Sequence, residues 1–169
     1  MRFLCSTRAL VGLLTPMVFS ACAGNPDTLP AGTNRDAVLA TLGQPTAMWP
    51  LVNGERLQYS SQPWGQQVYN VDLDGNGRVV IAAQVMTQAA FARVQVDVWR
   101  IQDVLRAFGK PALVARVHSF DGSVWSYRYA EPFGLNKQFN IFVDPTGLVR
   151  RTQVTEEPAL IDDRVSLRH

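Results

Sequence analysis

Two stretches of the sequence carry residue types that could do chemistry. Asp72, Leu73, Asp74, Gly75, Asn76 and Gly77 match the opening of a calcium-binding loop, with oxygen-bearing side chains at the first, third and fifth positions and a glycine at the sixth. The twelfth position of such a loop supplies a bidentate glutamate, and here it is Ala83. A tight hairpin turn asks for the same Asp, Asn and Gly, because they accept left-handed backbone and bond to their own main chain. The segment is therefore read as a turn and no metal is expected. His118, Ser119 and Asp121 are the residue types of a nucleophilic set. They are sequence neighbours, however, whereas a triad needs partners that the fold brings together. The other histidine is His169, the last residue, and the two cysteines are Cys5 and Cys22. That inventory offers neither a zinc set nor a cysteine nucleophile with its base. No catalytic residues and no small-molecule substrate are expected.

The remaining reactive group is the Cys22 thiol. Arg2 and Arg8 form a basic start, and residues 9–19 are an apolar run broken only by Gly12, Thr15 and Pro16. Eleven residues are too few to span a bilayer, which takes about 20, but they suit the hydrophobic part of a signal peptide. Phe19, Ser20, Ala21 and Cys22 follow, and resemble the lipobox of bacterial lipoproteins. In those proteins the cysteine is acylated and becomes the first residue of the mature chain. An ordinary secretory cleavage near Ala21, Cys22 and Ala23 is the other reading. Cys5 falls inside the segment to be removed, so the mature chain keeps one thiol, at its first position, and forms no internal disulfide. Ala23, where an aspartate would signal retention in the inner membrane, points by the same resemblance to the outer one.

Removal of residues 1–21 leaves 148 of the 169, enough for one compact domain or two small units. The leader takes two of the sixteen Lys and Arg residues, so fourteen face fourteen Asp and Glu and the formal charge is zero. Nucleic-acid binding needs concentrated positive charge and is not expected.

What must position any site is a repeat. Val38, Leu39, Gly43 and Pro45 recur as Val104, Leu105, Gly109 and Pro111; Gly54 and Tyr59 as Gly122 and Tyr127; Pro63, Trp64 and Gly65 as Pro132, Phe133 and Gly134. Asn70, Asp74, Gly77 and Val79 recur as Asn140, Asp144, Gly147 and Val149, the offset growing from 66 to 70. Order and spacing hold throughout. Thr33 and Asp36 form a capping-box pattern ahead of Val38, Leu39 and Leu42, and Ile101, Val104, Leu105 and Phe108 form an amphipathic helical face. A further short helix is expected over 89–94. Trp125, Tyr127 and Tyr129 alternate as in a strand, and residues 69–73 and 139–143 are the next strands. They lead through turns into 78–85 and 148–154. The expected fold class is α+β: a tandem repeat of helix plus three-stranded antiparallel meander, with helices packed on one face of the sheet or sheets. The expected organisation is a signal peptide at 1–21, a lipidated N-terminus and flexible tether at 22–32, repeat one at 33–87, repeat two at 88–155 and a loose tail at 156–169. Units of about sixty residues are marginal alone, so the two sheets are expected to join edge to edge or pack closely, leaving one face open.

Over about residues 29–155, the helix ending in Leu42, Gly43, Gln44 and Pro45, the strand with Gly54 and Tyr59, and the turn from Asp74 to Gly77 before a valine-rich strand resemble the SmpA/OmlA (BamE-like) domain. The paired arrangement is similar to the tandem fold of β-lactamase-inhibitory protein. The first resemblance implies a small lipoprotein of the Gram-negative outer membrane, lipidated on Cys22 with no other cofactor, facing the periplasm and bound to a protein partner in the barrel-assembly machinery. The second implies an alternative, an inhibitor-like binder of a soluble periplasmic enzyme.

Trp49, Trp64, Trp99, Trp125, Tyr127, Tyr129 and Phe133 are many large rings for a chain of this size. Most should be core. Trp64 and Phe133, however, occupy matched Pro-x-Gly loops and are the candidate partner contacts. Arg150 and Arg151 read as a solvated strand end.

Overall fold

The computed structural model describes residues 24–157, apart from the side chain of Phe133. The signal peptide, Cys22 and the tail from 158 lie outside the described residues. The chain forms two four-stranded antiparallel meanders with short helices. The first has α1 (Arg35–Leu42) ahead of β1 (Ala47–Leu51), β2 (Gly54–Ser60), β3 (Val68–Asp74) and β4 (Val79–Gln84). The second has α2 (Gln88–Phe91) and α3 (Ile101–Phe108) ahead of β5 (Leu113–Ala115), β6 (Ser123–Ala130), β7 (Asn136–Val143) and β8 (Val149–Glu156). Each sheet has one strand more than the three expected, the added ones being the edge strands β1 and β5. Among the described residues no helix is long and apolar enough to cross a membrane.

The alternation of each strand decides which side chains meet the helices. Leu57 and Val71 are paired across β2 and β3 and pack with Leu73, Val79 and Val38 of α1 into one buried cluster. A second cluster gathers Phe91, Phe108, Tyr127, Tyr129, Phe139 and Ile141. Phe91 stacks on Phe139 at 4.1 Å and meets Tyr129 edge-on at 4.8 Å. Burying each such side chain contributes about 1.5–3 kcal/mol. Val68 and Met86, which precede α2 in the chain, belong to the second cluster, so that core takes side chains from both halves.

The matched positions have matched geometry. Both meanders carry a register shift at the same place, between Asp72 and Leu73 and between Phe142 and Val143. Isolated bridges tie Asn34 to Arg78 and Arg100 to Leu148. The Tyr59 hydroxyl donates to the Gly43 carbonyl at 3.2 Å, and that of Tyr127 to the Gly109 carbonyl at 2.8 Å.

Four expectations change. Asn34, not Thr33, caps α1, its side chain accepting from the Ala37 amide at 2.8 Å. In α3 the Asp103 carboxylate accepts the Arg100 amide at 2.8 Å. Residues 24–32 are not a free tether. Gly24 donates to the Thr41 carbonyl at 3.1 Å, Leu29 packs against the first cluster and Gly32 donates to Val79 at 2.7 Å. Tyr69 donates to Asp27 at 2.8 Å, and burial followed by this bond pushes the Tyr69 hydroxyl up to about 12. At the other end Glu156 closes β8 and Glu157 pairs with Arg128, so the ordered chain extends into the expected tail. Finally, of the two arrangements expected the sheets do not take the edge-to-edge one, and the face expected to stay open is covered in the first sheet, with α1 on one side and the end of α3 on the other.

The turns explain their own acidic residues. Asp74 accepts the amides of Asn76 and Arg78, both at 2.9 Å, and Asp144 accepts those of Thr146 and Leu148 at 2.9 and 3.1 Å. Asp72 faces away, onto Arg56. The Thr146 hydroxyl bond, then the Leu148 amide, hold the Asp144 carboxyl below the usual carboxylate value, with further help from Arg150. The expected result of an NMR titration is an Asp144 midpoint under about 3.9 that Thr146→Val moves upward. A depressed carboxyl stabilises the fold above its unfolded value and loses that contribution as pH falls through the folded one. The loss therefore belongs below about pH 4 and leaves neutral pH untouched. An Asp144 midpoint insensitive to Thr146→Val would contradict the assignment.

Candidate functional site

The feature that stands out is the connection between β2 and β3, residues 61–67. Its base is closed by Ser61 and Gln67: the Ser61 amide donates to the Gln67 carbonyl at 2.9 Å and the Ser61 hydroxyl accepts the Gln67 amide at 3.0 Å. Gly65 closes a turn back to the Ser61 carbonyl at 2.7 Å, and the Gln62–Pro63 peptide is cis. Trp64 sits at the tip and is 88% exposed. A tryptophan left in water to that extent is unusual among residues that normally bury most of their surface.

The loop under it is held from the second meander. The Arg128 guanidinium donates to the carbonyls of Pro63 and Trp64 at 3.0 and 2.9 Å, and its Nε to the Glu157 carboxylate. Gln62 donates to the Arg128 carbonyl at 2.6 Å, and Gln66 donates to Asn136 at 3.0 Å and to Glu157 at 3.2 Å. The charges of Arg128 and Glu157 are thus spent on each other and on fixing the loop's carbonyls. What faces outward is a ring on a fixed backbone. Pro132–Gly134, the matched position, forms a short 3-10 turn. The Phe133 side chain lies outside what the structure describes, so Trp64 stands as the described member of the pair.

The other tryptophans have structural partners. Trp125 and Trp99 pack against the second cluster, and Trp99 lies 6.3 Å from the Phe108 ring. Trp49 donates to Gln58 at 3.3 Å and lies under Arg106, whose guanidinium carbon is 5.9 Å from the ring centre. These contacts belong to a seam in which the first sheet caps α3. A helix leaves its last carbonyls without partners of its own. Here Arg56 donates to the Arg106 carbonyl at 3.0 Å, Gln58 to the same oxygen at 3.3 Å and Asn70 to the Ala107 carbonyl at 2.9 Å. Arg56 is itself held by both oxygens of Asp72, at 2.6 and 2.8 Å. A cleft of about 290 Å³ opens beside the seam, lined by Arg56, Asp72, Ile81, Arg93, Trp99 and Phe108 among others.

His118, Ser119 and Asp121 are exposed in one surface loop. The sequence reading missed Arg128, Gln62 and Glu157, which fix the loop. Only the match between Pro63, Trp64, Gly65 and the later Pro132, Phe133, Gly134 marked the place.

No family model and no curated protein matches the sequence. Among solved structures the chain is similar to that of a DUF4309 family protein (YjgB) from Bacillus subtilis, at 13% identity, with 74% of this chain and 79% of that chain covered and a TM-score of 0.31.

Proposed function

We propose that this protein is a non-catalytic lipoprotein of the Gram-negative outer membrane, anchored through Cys22, facing the periplasm and serving as a binding scaffold in envelope assembly or maintenance. The observation that carries a contact role, with a partner protein or with the membrane, is Trp64, an exposed ring on a loop whose backbone is already fixed. Fixing a contact residue before encounter reduces the ordering cost of association, and tryptophan is among the residues that dominate contact energies. The reading as two tandem copies of a SmpA/OmlA-like unit draws support from the shared register shifts, bridges and tyrosine-to-glycine bonds. The Cys22 anchor draws support from the residues preceding it and from its being the sole thiol left after cleavage.

The test is fractionation and capture. Wild-type protein should sediment with outer membranes after a high-salt wash, and Cys22→Ser should move to the soluble fraction. Crosslinking in native membranes should recover barrel-assembly components with the wild type. A Cys22→Ser protein that stays membrane-bound would overturn the anchor. Capture of a soluble periplasmic enzyme instead would replace the scaffold role by that of an inhibitor.

A further inference from the structure

The structure describes the chain from Gly24, two residues after the proposed lipid. Gly24 is bonded to Thr41 in the last turn of α1, and the segment after it is tied down by Leu29 and by the Tyr69 to Asp27 bond. Cys22 precedes Gly24 by two residues, a reach of at most about 7 Å. With an acyl group on Cys22, that short reach would hold the C-terminal end of α1 near the bilayer surface.

Trp64 belongs to that same end. The Tyr59 hydroxyl at the close of β2 reaches the Gly43 carbonyl that ends α1. Pro26, Tyr59, Ser61 and Gln67 line one shallow depression, and Ser61 and Gln67 are the base of the Trp64 loop. The loop itself, from Ser61 to Gln67, contains no charged residue. Below it Arg128 and Glu157 neutralise each other. An uncharged loop tipped by tryptophan suits the boundary between headgroups and acyl chains, where the ring's apolar body is buried and its N–H stays hydrated.

We infer that this end of the molecule is a membrane-contacting face, with the Trp64 ring seated in the bilayer interface beside the lipid on Cys22. This rests on the lipoprotein reading and names what its exposed tryptophan touches. The Arg128 clamp fixes the backbone that carries the exposed ring, so a second contact is ready beside the inserted acyl chains. Two attachments fix the orientation of a domain that one would leave free to swing.

The experiment uses protein purified from native membranes and returned to vesicles of phosphatidylethanolamine and phosphatidylglycerol, with and without brominated acyl chains. Mass spectrometry of the N-terminal peptide first establishes whether Cys22 is acylated. With four tryptophans present, the expected result is partial quenching of the emission by brominated lipid, most of which is lost in Trp64→Phe. Acylated protein whose quenching is absent, or equal in wild type and Trp64→Phe, overturns the membrane-contacting face and leaves the lipoprotein reading standing. Unmodified Cys22 overturns that reading and this inference with it. A photo-crosslinker at position 64 that gives protein adducts and no lipid adducts would also overturn the proposal, assigning the ring to a protein partner.

Discussion

Phe108→Ala should cost about 3–5 kcal/mol and should weaken both meanders together. Its ring is buried between Phe91, Tyr127 and Phe139, at centroid distances of 5.7, 5.8 and 6.0 Å, so truncation leaves a cavity that rigid aromatic neighbours refill poorly. The residue also ends α3, and the two carbonyls before it are those that Arg56, Gln58 and Asn70 hold from the first sheet. A helix end that loosens frees those side chains, and the buried Asn70 amide loses the carbonyl it donates to. Each amide left without a bond costs about 1–3 kcal/mol. Native-state hydrogen exchange is the measurement: protection should fall by similar free energies at Val71 in the first sheet and Ile141 in the second. A fall confined to the second sheet would show that the halves unfold separately.

The second large effect is expected at Gly54, where β2 leaves its hairpin. Its φ is +146°, and a Cβ built there would stand 1.9 Å from the Leu73 carbonyl oxygen. No side-chain rotation relieves a clash with backbone, so Gly54→Ala should cost more than about 4 kcal/mol, in the range reserved for a few severe mechanisms. Gly122 occupies the matched place, with φ +148° and the Val143 oxygen at 2.2 Å, and should behave alike. Gly75 is the control: a Cβ there meets nothing within 4 Å, and Gly75→Ala should stay within about 0.5 kcal/mol. Urea unfolding of the three variants decides the matter, and equal costs at Gly54 and Gly75 would contradict the geometry.

These cases show what could be read in advance. Helix α3 was legible because Ile101, Val104, Leu105 and Phe108 recur at helical spacing, and the hairpin turns because Asp74, Gly77, Asp144 and Gly147 have few other uses. Strands β2, β3, β6 and β7 were legible in part from alternation and from the repeat. Strand β1 was not: Ala47, Met48, Trp49, Pro50 and Leu51 lack a clean period, and proline argues against a central strand. Its place at the edge of the sheet resolves this, since an edge strand can spare an amide. The cap of α1 fell one residue late because Thr33 and Asn34 are both good capping residues, and the bridge from Asn34 to Arg78 selects between them.

The least legible feature was the clamp on the Trp64 loop. Gln62 and Arg128 are 66 residues apart, and neither follows a local pattern that would pair them. Long-range polar contacts depend on how the meanders dock, which hydrophobic periodicity does not specify. The cover on the first sheet was hidden for the same reason. Arg56, Gln58, Asn70 and Asp72 are polar and carry no sign of a cover, yet their side of the sheet receives the end of α3.

That seam has a consequence for the conditions under which the two halves stay together. Most of it is made by amides and carbonyls, the groups of Gln58, Asn70, Arg106 and Ala107, with a single ion pair, Arg56 and Asp72, kept largely from solvent. Bonds between uncharged groups are not screened by dissolved ions, and a close, partly buried pair is screened far less than an exposed one. This part of the join between the meanders should therefore respond only weakly to ionic strength, less than the Arg128 and Glu157 contacts that hold the Trp64 loop.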